Sequence, residues 1–494
     1  MKFHVVLMSL VLALSTGCAG SRALCPREGG RTWSEVQSEH FRIQTNLTPQ
    51  SATTTALELE KLRRALLLAW GTDFNPPGSV DVILLRNTNE LKEFIQGDYV
   101  GFVAPTQQGT LLVMSGEGYV LDDGPEQELQ THELAHELSR HVLLRQSRWL
   151  AEGLAQYLQT THVKVSTQEA VLGRANKNSL AYVRQHGWLD VDDLWAWDQK
   201  ESMSAAETQQ HYASAWVWVH YLINMHTERF DELQTRLARA EDPRSAWDIA
   251  FKDAGDLRGD LRTFVWSGRS AILTLPLPPV PRDVTVRELD SADVHALRGR
   301  MHLHGIGARP QEERIQKARA EVEQGLKEDP VSVSVAVLAA QLQQNPQEHL
   351  ARARTLVQAH PDDGRAWDLL AEHLDMNSER QALEQARQRA AELLPNDSRI
   401  LASLAAHYQQ TQQPEKGLPV ARRAVELAPG DPYALTLQAA MSFQLDRCKE
   451  ALGLQRRALD MLHESTPDSY RKQLRDRLQL FEANCGTNTR GAAP

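Results

Sequence analysis

The spacing of apolar residues changes several times along this chain, and each change predicts a different kind of structure. Val5 to Leu14 is an apolar run of ten residues interrupted only by Ser9, too short to cross a bilayer as a helix but suited to the core of an export signal. From Trp33 the pattern becomes mixed. His40-Phe41-Arg42-Ile43-Gln44-Thr45 alternates as a half-buried strand does. Ser51 to Trp70 sets Leu57, Leu62, Leu66 and Ala69 on one helical stripe, and Val80 to Leu85 is an apolar strand ended by Arg86-Asn87. Asn89 to Ile95 reads as a short helix. Tyr99–Ala104 and Thr110–Met114 then form a strand pair around the Pro105–Gly109 turn. Asp123-Gly124-Pro125 is a helix start, an acidic cap followed by proline in the first turn, and that helix should run to about Arg145. Beyond it the period is helical, over Trp149–Thr160, Asn178–His186, Ala206–His226 and Asp231–Ala240.

Leu275-Pro276-Leu277-Pro278-Pro279-Val280-Pro281 interrupts this pattern and predicts a stiff extended linker. After it the chain repeats. Pro361, Pro395 and Pro429 are spaced 34 residues apart, the tetratricopeptide period. Trp367, Leu370 and Ala390 in one unit, Leu404, Ala405, Tyr408 and Ala424 in the next, and Ala451 and Ala458 in a last one recur where paired helices must approach closely. Four units, give or take one, are expected. The predicted organisation is a signal over residues 1–18, a tether over 19–32, a mixed α+β domain over 33–274 and a Pro-rich linker over 275–309. An all-α repeat solenoid over 310–465, a capping helix over 466–485 and a disordered tail over 486–494 complete it.

The chemistry concentrates at residues 132–136, His-Glu-Leu-Ala-His. On a helix, positions i and i+4 share a face, so both imidazoles can reach one Zn²⁺, and Glu133 leans toward the open side as general base for a water. A third ligand is required. His141 is one position short of a third histidine six residues beyond His136; Val142 and Ser139 stand where that class carries His and Gly. Glu152 is sixteen positions past His136, near the start of the next helix. Two turns of helix, a reversal at Gln146-Ser147 and one turn back bring it beside the histidines.

Trp149-Leu150-Ala151-Glu152-Gly153-Leu154-Ala155-Gln156-Tyr157 resembles the motif of peptidase MA-like gluzincins. Tyr212-Ala213-Ser214-Ala215-Trp216 through His220-Tyr221-Leu222 resembles their downstream segment. The resemblance covers roughly residues 33–270. It implies a zincin-like fold with Zn²⁺ on His132, His136 and Glu152, Glu133 as catalytic base, and a peptide or protein substrate. It also implies an oxyanion-stabilising group some tens of residues past the third ligand, where Tyr212 and His211 both stand; Tyr212 packing between helices is the alternative. Thr110–Ser115 is expected to be the edge strand along which an extended peptide pairs.

Composition adds boundaries. A net charge of −10 with 41% apolar residues excludes a basic nucleic-acid binder. Ser15-Thr16-Gly17-Cys18 resembles a bacterial lipobox, with Ser15 where leucine is usual. Lipid on Cys18 would be the membrane attachment, and Ala19 after it fits an outer membrane if the cell has one. Export permits a Cys448–Cys485 disulfide and leaves Cys25 over in a mobile stretch; two unpaired thiols are the alternative. His302 and His304 read as part of a solvated linker, and Trp195, Trp197, Trp216 and Trp218 as core. Two functions follow: an envelope metallopeptidase whose repeats recruit a substrate or a protein partner, or a lipid-anchored scaffold whose repeats do the work.

Overall fold

The computed structural model describes residues 22–97, 101–106, 109–116, 125–200, 202–268, 270–307, 309–343, 348–462 and 466–488. The expected signal, Cys18 and the end of the tail lie outside them, as do Tyr99, Asp123 and Gly124.

Strands β1 (Trp33–Gln37) and β2 (Phe41–Thr45) form an antiparallel hairpin with Val36 opposite Ile43. Helix α1 (Pro49–Leu67) starts on Thr48, whose side chain accepts the Ser51 N–H, and crosses over so that β3 (Val80–Leu85) lies parallel to β2. After the single turn α2 (Thr88–Leu91), β4 (Gly101–Thr106) and β5 (Gly109–Ser115) make a second hairpin. Helices α3 (Pro125–Val142) and α4 (Arg148–Leu158) follow, then the short strands β6 (His162–Lys164) and β7 (Glu169–Leu172). A helical layer comes next: α5 (Lys177–His186), α6 (Val191–Trp195), α7 (Ala205–Met225), α8 (Thr227–Ala238), α9 (Pro243–Ala250) and α10 (Leu257–Ser267). Strand β8 (Leu273–Pro276) pairs with β7, and β9 (Thr285–Leu289) pairs with β1. The main sheet therefore runs β4-β5-β3-β2-β1-β9, with a small sheet β6-β7-β8 beside it.

Both faces of the main sheet are covered, and the pleat divides them. Val82 and Leu84 of β3, with Leu112 and Met114 of β5, enter the core that holds α1, α3, α4 and α7. Ile83, Leu85, Leu111 and Val113 face the other way, with Trp33, Leu91 and Phe94. The tryptophans belong to the first core: Trp149 meets Trp195 and Trp247 edge-on at 5.4 and 5.7 Å, and Trp216 and Trp218 are buried.

Three expectations change here. The 275–309 segment is not a free linker. It begins on β8, supplies the closing strand β9, and continues into α11 (Ser291–His304). Proline is tolerated at Pro276 because β8 is an edge of the small sheet. His302 of α11 is buried against Phe94 rather than solvated, and burial pushes its pKa down to about 4. The described part of the tether is also packed. Ala23 and Cys25 are fully buried, the Trp33 indole donates to the Leu24 carbonyl, and Arg298 donates to the Ala23 carbonyl.

The solenoid is rooted on that closing strand. Helix α11 pairs with α12 (Gln311–Glu328), α13 (Val333–Gln341) with α14 (His349–Ala359), and α15 (Gly364–His373) with α16 (Arg380–Leu393). Then come α17 (Ser398–Gln410) with α18 (Pro414–Leu427), α19 (Pro432–Gln444) with α20 (Cys448–Asp460), and α21 (Asp468–Asn488) against α20. The starts of α15, α17 and α19 keep the 34-residue period. Each follows Pro-x-Asp, and Asp363, Asp397 and Asp431 cap their helices by accepting backbone N–H groups two or three residues on. Ala386, Ala421, Ala424, Ala451 and Ala458 are buried where paired helices touch. Cys448 and Cys485 form a disulfide that ties α21 to the last hairpin.

Candidate metal centre

The site is built on the α3–α4 hairpin. His132 and His136 lie one helical turn apart on α3, and Glu152 sits in the first turn and a half of α4. The reversal is fixed locally: Gln146 donates to the Ser139 hydroxyl at 3.2 Å, and the Leu143 N–H caps back onto the Ser139 carbonyl. Helix α4 is in turn pressed onto α7 at Gly153. A Cβ there would lie 2.5 Å from the Ala215 carbonyl oxygen, so the helices cross at a distance that glycine alone permits.

Three donor atoms converge. His132 Nε2 and His136 Nε2 are 3.1 Å apart, and each is 3.3 Å from Glu152 Oε2. Atoms held ~2.0–2.1 Å from a tetrahedral zinc stand roughly 3.3 Å from one another. The triangle therefore has the size of one face of a zinc tetrahedron. Its chemistry fits as well. The His132 Nδ1–H donates to Gln159 Oε1 at 3.1 Å, which leaves the Nε2 lone pair facing inward. Glu152 Oε2 is buried without a hydrogen-bonded proton of its own. The three side chains keep 12–19% exposure, so the fourth side is open to water.

Burial alone raises the Glu152 carboxyl, but the adjacent His132 and His136 rings outweigh it and hold it down at about 2. For His132, burial lowers the pKa while Glu152 and Glu133 raise it, and the carboxylates win. Two imidazoles and two carboxylates thus make a negative pocket.

Around the triangle, the two oxyanion candidates separate. Tyr212 on α7 lies beside Glu152, and its hydroxyl is pushed up to about 12 by burial and then by the Glu152 charge, so it stays a donor. His211 turns away; its ring bonds the Glu207 carbonyl at 2.7 Å, approaches Lys200 and packs at a tilt against Trp197. Trp197 also meets the Tyr212 ring edge-on at 5.3 Å and carries Arg148 over its face at 4.7 Å. His141 is away from the triangle and lines a cleft toward the solenoid.

Glu133 borders a cavity of about 320 Å³ whose walls include Phe102, Val103, Leu129 and Ile306. The strand beside it corrects an expectation. Thr110–Ser115 is not an edge: β5 is paired with β3 on one side and β4 on the other. On this side of the sheet the outermost strand among the described residues is β4, because the second hairpin folds back outside β5. Sequence reasoning also passed over Gln159 and Glu128, which accepts from Gln159 at 3.4 Å. The available signal was periodicity, since Gln159 is two helical turns beyond Glu152 and so shares its face.

The chain matches the family described as "Protein of unknown function (DUF1570)" over residues 130–243. That span contains His132, Glu133, His136, Glu152 and Tyr212. No curated protein matches the chain. Among solved structures it is similar to the MamA protein, at 17% identity over 34% of this chain and 91% of that one, with a TM-score of 0.27. It is also similar to TTC0263, a thermophilic TPR protein of Thermus thermophilus, at 19% identity over 34% and 91%, TM-score 0.26. Yeast Tom70 is similar at 13% identity over 72% and 86%, TM-score 0.30.

Proposed function

We propose that this chain is a zinc-dependent peptidase of the gluzincin type, with a zincin-like N-terminal domain. The observation that carries the reading is the His132–His136–Glu152 triangle, with edges of 3.1–3.3 Å and an outer hydrogen bond that fixes the His132 tautomer. His132, His136 and Glu152 would hold the ion, which when bound supplies Lewis-acid polarisation of a carbonyl and of a water. Glu133 takes the proton of the attacking water and passes it to the amine nitrogen as the C–N bond breaks. Tyr212, kept protonated, donates to the carbonyl oxygen as that atom gains charge. Backbone groups of the edge strand β4 pair with an extended peptide, and the apolar cavity next to Glu133 receives one of its side chains.

The repeats bind a protein partner or present substrate in this reading. Attachment to the membrane is through lipid on Cys18, in the cell envelope and at the outer membrane where there is one. No helix among the described residues is long and apolar enough to cross a bilayer. Release of the protein from membranes in a Cys18→Ala variant tests the attachment.

The decisive experiment is a pair of measurements on Glu133→Gln. Zinc should stay at about one ion per chain at this centre, while hydrolysis of a peptide library falls by roughly 10²–10⁴-fold. Wild-type protein with neither zinc nor hydrolysis would instead be a lipid-anchored repeat scaffold on a non-catalytic domain.

A further inference from the structure

A second convergence of ligand-type side chains sits on the opposite face of the sheet. Cys25 opens a 3-10 turn, Pro26–Glu28, and its thiol is fully buried. His295 of α11 is 3% exposed, while Glu28 on the same turn faces solvent. One ligand atom from each, a sulfur, an imidazole nitrogen and a carboxylate oxygen, lies within 4.8 Å of the other two.

We propose that Cys25, Glu28 and His295 form a second metal site, selective for zinc, that clips the N-terminal segment onto α11. The imidazole is prepared for this. His295 Nδ1–H donates to Glu321 Oε2 at 2.7 Å, the carboxylate–histidine arrangement that orients metal ligands and leaves Nε2 to coordinate. The Cys-x-x-Glu spacing is held rigid by the backbone. The N–H groups of Glu28 and Gly30 both donate to the Cys25 carbonyl at 3.0 Å, Gly29 closes the turn at φ +85°, and the Cys25 N–H donates to Glu28.

Charge is balanced too. A thiolate and the Glu28 carboxylate neutralise a divalent ion, so a largely buried site carries no net charge. The neighbouring Arg298 guanidinium is already bonded to Glu93 and Glu321 and does not compete. Sulfur, imidazole and carboxylate together suit zinc over magnesium or calcium. The thiol proton leaves to solvent as the sulfur–metal bond forms, and the exposed Glu28 side leaves the fourth position to water. Cys25 is also the one free cysteine among the described residues, in a chain whose other described pair is oxidised.

The two sites can be told apart because the His132 centre contains no sulfur. Full-length protein loaded with zinc should hold about two ions per chain. After exchange into Co²⁺, it should show a thiolate-to-cobalt charge-transfer band in the near ultraviolet. A His132→Ala variant should retain that band and lose one ion. Cys25→Ser should lose the band and keep the other ion, and Glu28→Gln, a surface change, should weaken cobalt binding at this site about tenfold or more. A wild-type cobalt spectrum without a thiolate band overturns the proposal even if Cys25→Ser fails to fold. So does a band unmoved by both Cys25→Ser and Glu28→Gln.

Discussion

Substituting Gly153→Ala adds one methyl group at the crossing of α4 and α7. The new Cβ would stand 2.5 Å from the Ala215 carbonyl oxygen, 2.6 Å from Val219 Cγ2 and 2.9 Å from the Ala215 carbonyl carbon, where real Cβ atoms do not come below 3.0 Å. Two of those atoms are helix backbone, and Val219 is fully buried, so neither neighbour yields easily. The helices must separate by ~0.5 Å or more. Overpacking of this kind costs about 1–3 kcal/mol, offset by about 1 kcal/mol for alanine's better helix propensity. Stability should therefore fall by only ~0–2 kcal/mol.

The metal readout is the sensitive one. Glu152 is the next residue, and ligand positions tolerate only ~0.2 Å. A shift of ~0.5 Å is expected to weaken zinc about 10–100-fold, roughly 1.4–2.7 kcal/mol. Competition against a chromophoric chelator measures it, with thermal unfolding of the metal-free protein run alongside. Gly453→Ala is the control. Its Cβ meets nothing within 4 Å on α20, so it should leave zinc affinity unchanged and gain up to about 1 kcal/mol. A folded Gly153→Ala protein with wild-type zinc affinity would refute the claim that this contact positions Glu152.

Further outcomes follow from other contacts. Tyr212→Phe removes the hydroxyl beside Glu152 and should lower kcat about 10²-fold while zinc content holds. Breaking the Cys448–Cys485 bond, which spans 37 residues, by Cys448→Ser should cost about 3–4 kcal/mol on the chain-entropy estimate, read by urea unfolding of the last hairpin. Burial alone raises Glu93, but Arg298 and Arg22 hold its carboxyl at about 2, from an ordinary 4.5. A depressed carboxyl stabilises the fold above 4.5 and loses that contribution as pH falls toward 2. Denaturant titrations should lose about 1–2 kcal/mol across that window after solvent screening, and Glu93→Gln should flatten the profile.

What the sequence made legible was local. Val80–Leu85 is a strand because apolar residues point to both faces and both faces are covered. The His-x-x-x-His pair and Glu152 could be brought together on paper because one short reversal joins two helices. The repeats were readable because their period and their Pro-x-Asp caps recur. Non-local pairing was not readable. In β9, Thr285-Val286-Arg287-Glu288 is largely exposed and becomes a strand by pairing with β1, some 250 residues earlier. Chain order suggested β5 as the edge, since nothing in its residues records that β4 folds back outside it. Cys25 looked mobile and His302 solvated because the surfaces that bury them come from segments far away in sequence.

Strand β9 also determines how the two halves relate. It completes the sheet at β1 and leads through Asp290, the cap of α11, directly into the first helix of the solenoid. The first repeat hairpin therefore shares a core with the sheet: Val294, Leu297 and Met301 of α11 pack with Ile83 and Val113. Between sheet and solenoid lies a cleft of about 630 Å³, walled by Arg42 and Asp81 of the sheet and by Arg300, Asp368 and Arg399 of the helices. Its far end reaches Thr110 and Glu137, and Thr110 donates to Glu137 at 2.6 Å. Glu137 is the residue after His136. A partner seated on the inner surface of the repeats would thus meet the helix that carries both histidines, across one charged cleft and without any moving linker. A free tether between domains would give the repeats influence over substrate supply alone. A solenoid grown from the edge of the sheet gives them a packed path to the helix that carries His132 and His136.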